Sequence, residues 1–494
     1  MSVANAEGRG SKPQPKVRSK PKPFLYPQYC KSCGRCIEAC PKGAIEYADE
    51  IDPRTGLRPV TVDLDLCNAC GLCFDACPEP WGLLPQPVPE FDPEVTDPAA
   101  FFGPRPSSAP EPTGTPDRRV PLPELQPMVM KGAHASAVGA VLAGCRHFFG
   151  YPITPSTEGA ELMARLLPHL DGHFVQAVSE VATINMMYGA GGAGVRCMTF
   201  TSSPGFSLML EGISYMIGAE LPGVIVNVMR GGPGLGNIGP EQADIKLVCR
   251  GLGHGNTHAP VLAPATPQEM LDFTMEAFDL AFRYRTPVVV AGDGHLGQMT
   301  GRVTLPSHLV EPGVPEWAVY GDRAHRANLH TSIYLAEPDL EAHNQRLNAK
   351  YDRMKAELQR AELVGCDDAD WLIVACNTPS RMAKGAIRVL REEGIKVGLF
   401  RPQTLWPFPI DLLEEPIRRV KGVIVVEAGP GQLEDELRLA LSHRGIHAFG
   451  PIAPVRRLGG MLPQQEEIVR AVRELDATRG VSERESTPLE VSHV

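Results

Sequence analysis

One cysteine spacing occurs twice near the amino end, and it limits what this chain can be. Cys30, Cys33, Cys36 and Cys40, followed by Pro41, and Cys67, Cys70, Cys73 and Cys77, followed by Pro78, both read C-x2-C-x2-C-x3-C-P. Three thiolates separated by two residues sit on one tight loop and can grip three corners of an iron–sulfur cubane, while the fourth cysteine of each run ligates the other cluster. The spacing therefore assigns one [4Fe–4S] cluster to Cys30, Cys33, Cys36 and Cys77, and a second to Cys67, Cys70, Cys73 and Cys40. Paired zinc knuckles need ligands grouped as CxxC pairs and give no reason for a third cysteine or the proline. Disulfides fit poorly with thiols this dense in a chain with no secretory segment, which implies a reducing, cytoplasmic setting. Of the 13 cysteines, the remaining Cys145, Cys197, Cys249, Cys366 and Cys376 are scattered in apolar company and read as packing residues.

At 494 residues the chain is too long for one core and long enough for three domains. A net charge of -10 argues against nucleic acid as a partner, for which a basic face is expected. Apolar runs such as 224–229 and 372–376 are far shorter than the roughly 20 residues of a membrane span. Residues 1–22 carry Arg9, Lys12, Lys16, Arg18, Lys20 and Lys22 among prolines without an apolar stretch, so they read as a disordered basic arm. Residues 23–80 form the two-cluster domain. The proline-crowded stretch 81–127 reads as a linker in which no helix or strand survives.

From residue 128 the texture is globular. Strands at 148–150, 174–178, 194–201, 223–229 and 286–291 alternate with helices at 135–143, 181–190 and 206–217, with Ser156 or Thr157 capping a further helix. Such alternation predicts βαβ units on a parallel sheet, with chemistry beyond the carboxyl ends of the strands, at 151–156, 179–180, 202–205 and 230–239. This first α/β domain covers 128–310. A connector, 311–365, is irregular and then charged, a solvated face. A second α/β domain, 366–477, carries strands at 371–375, 397–400 and 422–427, and the tail 478–494 reads as disordered. The run Gly234–Gly239 matches G-x-G-x-x-G, but Arg230 to Pro233 separate it from the strand and no acid stands at the ribose position, so a dinucleotide site is rejected.

With Gly150–Ser156, Glu180 at a helix entry, Thr199–Gly205, Arg230–Gly234 and Leu405–Pro409 in view, the chain resembles the alpha subunit of the 2-oxoacid:ferredoxin oxidoreductases, joined at its amino end to their ferredoxin-like delta subunit. The resemblance implies two doubly wound α/β domains, one of the thiamine-enzyme pyrimidine type and one like the transketolase C-terminal domain, plus a small bacterial ferredoxin-like domain. It implies that this chain supplies the pyrimidine side of a thiamine diphosphate site and that a beta subunit supplies the diphosphate and Mg2+ side. Gly292-Asp293-Gly294 begins like a magnesium–diphosphate motif but lacks the asparagine pair that should follow, which fits that division. The implied reaction is oxidative decarboxylation of a 2-oxo acid to acyl-CoA and carbon dioxide. Coenzyme A is then the cosubstrate, a gamma subunit a further partner, and ferredoxin or another electron-accepting subunit the outlet. The loop Arg230 to Asp244 is most similar to the branched-chain, 2-oxoisovalerate type; 2-oxoglutarate, pyruvate and aryl 2-oxo acids are the alternatives.

By the same resemblance Glu180 is the buried carboxyl that hydrogen-bonds the aminopyrimidine ring, Arg230 holds the substrate carboxylate through its fork, and Thr154 donates beside the 2-oxo group. Tyr151, Pro152 and Ser202 belong to the cofactor-binding turns. From the residues alone, Glu180 is equally a helix N-terminal glutamate favoured by the dipole, Arg230 an exposed strand-end arginine and Thr154 a turn residue. The chain departs from the family pattern at Lys131 to Ala135, where His134 stands. A reading of a different class keeps the α/β domains only as a docking scaffold for an electron-transfer adaptor.

Overall fold

The computed structural model describes residues 21–53, 55–79, 82–85, 113–322, 324–325, 328–447 and 450–485. The chain divides after Ser107 into two compact units. In the first, two short helices, Arg35–Ala39 and Leu72–Ala76, each begin after a left-handed glycine, Gly34 (φ 72°) and Gly71 (φ 85°). Only glycine adopts that turn without strain, and it swings each cysteine loop into its helix. Phe24–Leu25 pairs with Leu83–Leu84 and Ile45–Tyr47 with Val60–Val62, both antiparallel. The buried core is Cys36, Ile45, Val60, Cys73 and Leu83. So small a core does not hold a domain of this size without a staple.

The second unit is built on two sheets. The larger runs Thr404–Trp406, Val261–Leu262, Pro287–Asp293, Gly223–Met229, Cys197–Thr201, His147–Gly150, His173–Gln176, parallel except for the first strand. Every residue of Gly223–Met229 and Pro287–Asp293 is buried, as expected where helices cover both faces of a parallel sheet. From His147–Gly150 the chain goes outward to the edge strand His173–Gln176 and then crosses back to Cys197–Thr201. The order reverses between those inner strands, which is where such a sheet opens a crevice. The smaller sheet runs Ala361–Val364, Val397–Pro402, Trp371–Val374, Gly422–Glu427, Ile452–Arg456, parallel except for its first strand. No helix among the described residues is long and apolar enough to cross a membrane.

Several expectations are corrected. The proline-rich linker is not structureless to its end: Arg118–Pro121 pairs with His308–Glu311. Charge holds it there. Asp117 receives a 2.6 Å bond from the buried Arg196, which also reaches Asp279 and lies over the Phe282 ring. The partner strand runs into the start of the connector expected over 311–365, and that connector's charged run forms the helix Glu337–Glu357, whose His343, Leu347, Lys350, Tyr351 and Met354 are buried along one face rather than solvated. The tail continues as the helix Gln465–Glu485, carried by buried Ile468, Val469 and Val472 and tied by the Trp371 indole N–H to Asp476 at 2.9 Å. Ser156 precedes the helix Thr157–Leu166 without capping it, since its hydroxyl donates to the Ile153 carbonyl. The helix expected over 206–217 is two, Ser203–Leu208 and Leu210–Gly218. Residues 1–20, 86–112 and 486–494, expected as arm, linker and tail, lie outside the described residues.

Candidate active site and cluster cavities

In the first unit the eight cysteines sort into two sets of four. Cys30, Cys33, Cys36 and Cys77 line one cavity, and Cys40, Cys67, Cys70 and Cys73 line another. Each set takes three sulfurs from one run and the fourth from the other, because Cys40 and Cys77 terminate the two helices and point the chain away from its own loop. The electrostatics report the same grouping. Burial, with Cys77, Cys30 and Cys33 adding charge, pushes the free Cys36 thiol up to about 11. Burial also raises Cys73, which feels Cys67 and Cys70. Backbone N–H groups of Ala44 and Ala69 donate to the sulfurs of Cys40 and Cys67, each at 3.4 Å. Among the described residues no three such side chains could hold a single metal ion. The thiols instead surround voids, the arrangement a cubane with one sulfur per iron requires.

In the second unit the crevice of the larger sheet lies between the ends of His147–Gly150 and Cys197–Thr201. Glu180 opens the helix Glu180–Gly192, whose entry is capped by the Ser179 hydroxyl on the Ala182 N–H at 3.2 Å. With its backbone so fixed, the Glu180 side chain is 5% exposed, and neither carboxylate oxygen has a hydrogen-bond partner among the described residues. A methyl group on Gly205 would come within 2.5 Å of both Glu180 Oε1 and Thr201 Oγ1, so only glycine lets this helix pack so closely against them. Thr201 Oγ1 is itself buried without a partner. A buried hydroxyl and a largely buried carboxyl side by side, neither with a partner among the described residues, are costly unless a ligand completes them, and they suit a polar ring nitrogen or amine.

Arg230 follows the strand Gly223–Met229 and is buried. Its guanidinium donates to the carbonyls of Thr154 at 2.6 Å and Leu235 at 3.1 Å, joining the 151–156 turn to the next strand-end loop, while Nε stays buried and unpartnered. Tyr151, Pro152 and Thr154 are exposed on that turn. Ser202 departs from expectation. It is fully buried, and its hydroxyl donates to the Val228 carbonyl at 2.8 Å, which ties two strand ends together and uses its one donor within the fold. Asp293 caps the helix Gly294–Gln298 and accepts from His295, Leu296 and both N–H and hydroxyl of Thr378, so its oxygens are spoken for. His134 is partly buried on the helix Gly132–Leu142. Thr201 and Gly205 lie in the Thr199–Gly205 motif, but sequence reasoning gave neither a role of its own, since a strand-end threonine and a helical glycine carry no local mark of what packs against them. Large apolar side chains at Val178, Val181, Met186 and Leu208 are exposed around the Glu180 helix.

A family model described as pyruvate flavodoxin/ferredoxin oxidoreductase, thiamine diP-bdg, matches residues 138–364. A second, pyruvate:ferredoxin oxidoreductase core domain II, matches 369–468, and a 4Fe-4S dicluster domain matches 29–80. The ketoisovalerate oxidoreductase subunit VorB of Methanothermobacter thermautotrophicus is 47% identical over 349 residues, 70% of this chain and 97% of that protein. The 2-oxoglutarate synthase subunit KorA of Methanocaldococcus jannaschii is 37% identical over 368 residues, 69% of this chain and 98% of its own. The solved 2-oxoglutarate:ferredoxin oxidoreductase of Magnetococcus marinus, with 2-oxoglutarate, coenzyme A and succinyl-CoA bound, matches with a TM-score of 0.63 at 28% identity, over 70% of this chain and 65% of that one. Matched along nearly the whole of its archaeal relatives, and carrying in order a dicluster domain, a thiamine-diphosphate-binding domain and a core domain II, this chain belongs to the 2-oxoacid:ferredoxin oxidoreductases, enzymes that oxidise 2-oxo acids with ferredoxin as acceptor.

Proposed function

We propose that this chain is the alpha subunit, with its electron-exit module fused in front, of a branched-chain 2-oxo acid oxidoreductase acting on 2-oxoisovalerate in a reducing cytoplasm. The observation that carries the reading is Glu180: a buried carboxyl with no hydrogen-bond partner among the described residues, packed against Gly205 beside the unpartnered Thr201 hydroxyl. Thiamine diphosphate, when bound, supplies the electron sink that lets a 2-oxo acid lose carbon dioxide. Glu180 would share a proton with the ring nitrogen of its pyrimidine, as carboxyl donor or carboxylate acceptor, and so govern where that proton resides. Thr201 offers a second polar contact at the same place. Arg230, braced by the Thr154 and Leu235 carbonyls, keeps N–H donors for the substrate carboxylate, and the Thr154 hydroxyl lies on the turn it braces. The exposed apolar side chains beside Glu180 are surface for a beta subunit bearing the diphosphate and Mg2+ half. A gamma subunit and coenzyme A complete the assembly, and the cysteine cavities hold the two [4Fe–4S] clusters. The 47% identity to the VorB subunit supports the substrate.

The assembly copurified through this chain is expected to release carbon dioxide from 2-oxoisovalerate with a kcat/KM about 10-fold or more above that for 2-oxoglutarate, pyruvate or phenylglyoxylate. A preference for 2-oxoglutarate would overturn the substrate. Turnover of none of them, with clusters present, would leave the adaptor reading. Cys77→Ala is expected to remove the cluster shared with Cys30, Cys33 and Cys36 and spare the other, lowering iron content and visible absorbance by about half. Loss of both, or of neither, would break the assignment.

A further inference from the structure

The smaller sheet has a crevice of its own, and it is already full. Its parallel strands reverse order between Trp371–Val374 and Gly422–Glu427, the place where such a sheet takes a ligand. Gln242, from the first α/β domain and 0% exposed, occupies that place. Its Nε2 donates to the Cys376 carbonyl at 3.3 Å, the Cys376 sulfur at 3.0 Å and Asn377 Oδ1 at 3.1 Å. The Ala428 N–H donates to its Oε1 at 2.9 Å, and its own N–H donates to the Ala428 carbonyl at 2.6 Å. The amide is therefore answered at both ends by the two strand-end segments that border the crevice. Gln432 continues the seam, donating to the Ala243 carbonyl at 2.6 Å and accepting from the Lys246 N–H at 2.8 Å.

Gln242 stands just past the loop that begins at Arg230. An isolated bridge between Arg230 and Pro240 closes that loop. Inside it Gly231 donates to Gly239 at 3.0 Å and Asn237 to Gly231 at 3.1 Å. The Glu241 carboxylate accepts from the Gly232 N–H at 3.3 Å, and the Asn237 amide donates to the Gly459 carbonyl at 2.8 Å. The loop's large side chains do not hold it, since Leu235 is 81% and Ile238 63% exposed. Its placement comes from the Asn237 contact to Gly459, from its stem and from what the stem is fastened to. The Leu235 carbonyl is in turn one of the two that brace the Arg230 guanidinium.

We propose that Gln242 is a positioning residue for substrate binding: by filling the crevice of the second α/β domain it fixes the 230–240 loop, and with it the guanidinium of Arg230. The second domain then serves this reaction as a socket for that loop rather than as a ligand site. The proposal rests on the reading of Arg230 as the group that takes the 2-oxo acid carboxylate. Fixing a binding group in advance matters because a displacement of about 1 Å can cost up to about 100-fold in rate.

The test uses the purified assembly containing the full chain. Gln242→Ala is expected to raise KM for the 2-oxo acid about 10-fold, leave KM for coenzyme A unchanged, and speed amide hydrogen exchange across 231–240 by about 10-fold. Arg250→Ala is the control. It breaks the two-pronged pair with Glu436, both contacts 2.6 Å, elsewhere in the same interface, and is expected to lower Tm without moving KM or loop exchange. If Gln242→Ala does not accumulate, Gln432→Ala is expected to shift both readouts in the same direction by a smaller factor. Wild-type exchange and KM in either glutamine variant, or equal shifts in Arg250→Ala, would overturn the proposal. Fast loop exchange with an unchanged KM would overturn the reading of Arg230 and leave the anchoring intact.

Discussion

Glu180→Gln is expected to cut turnover of the 2-oxo acid by about 1,000-fold, inside the range of roughly 100- to 10,000-fold typical of a lost acid–base group. The substitution keeps size and shape, so the 5% exposed site next to Gly205 stays packed. It exchanges a carboxyl that can give up its proton for an amide that cannot, and removes an ionisable group that has no hydrogen-bond partner among the described residues. Removing an unpartnered buried charge does not cost stability, so Tm should hold or rise. Visible absorbance of the clusters should be unchanged, since their ligands are all in the other unit. Carbon dioxide release, Tm and absorbance on one preparation therefore separate a chemical loss from a folding loss. Activity within about 10-fold of wild type would remove Glu180 from the reaction and favour the adaptor reading.

Arg401→Ala is expected to destabilise the second unit by about 3–5 kcal/mol, the usual cost of orphaning a buried ion-pair partner. Arg401 is 2% exposed and meets Glu269 of the first α/β domain through two bonds, at 3.0 and 2.6 Å, and Glu362 through Nε at 2.5 Å. Lys384 completes the set by binding Glu362 at 2.6 Å. Without the guanidinium, Glu269 and Glu362 face each other across an unfilled space. Arg401→Lys should recover only part of the loss, because a point charge cannot span both carboxylates as the planar fork does. Burial tends to raise Glu362, but Lys384 and Arg401 outweigh it and hold the carboxyl below its usual value of 4.5. A depressed acid stabilises the fold above its unfolded value and stops doing so as pH falls through the folded one. The wild-type advantage over Arg401→Ala should therefore be full at neutral pH and shrink below about pH 4. Thermal melts at pH 7 and at about pH 3 check both the size and the sign.

The parts of this molecule that were legible in the sequence are those whose cause is local. The cysteine runs could be read because ligand spacing and loop geometry are one constraint, and the void each set of sulfurs surrounds is made by the same residues that spell the motif. Gly223–Met229 and Gly422–Glu427 could be read because strands buried on both faces are short apolar runs. Glu180 at a helix entry could be placed, but its burial and its lack of a hydrogen-bond partner among the described residues could not be read from the sequence. What stayed hidden depends on partners far along the chain. Ser202 sits in the right motif, yet its hydroxyl bonds the neighbouring strand at Val228. Gln242 looks like any loop glutamine until Cys376 and Ala428 arrive around it. Arg118–Pro121 lies in a sequence hostile to strands and forms one because Arg196 pulls Asp117 onto the domain.

The strand Thr404–Trp406 has a consequence for how this chain can be divided. It is spelled within the second α/β domain but hydrogen-bonds to Val261–Leu262 at the rim of the first domain's sheet, with Trp406 stacked 4.8 Å from the His258 ring. A gene cut anywhere between residues 365 and 403 would yield an amino-terminal fragment with an open sheet margin, a template for self-association, and a carboxy-terminal fragment with a stranded tryptophan. The two α/β halves are thus not interchangeable modules. Recombination that exchanges substrate preference should therefore move the two α/β domains together.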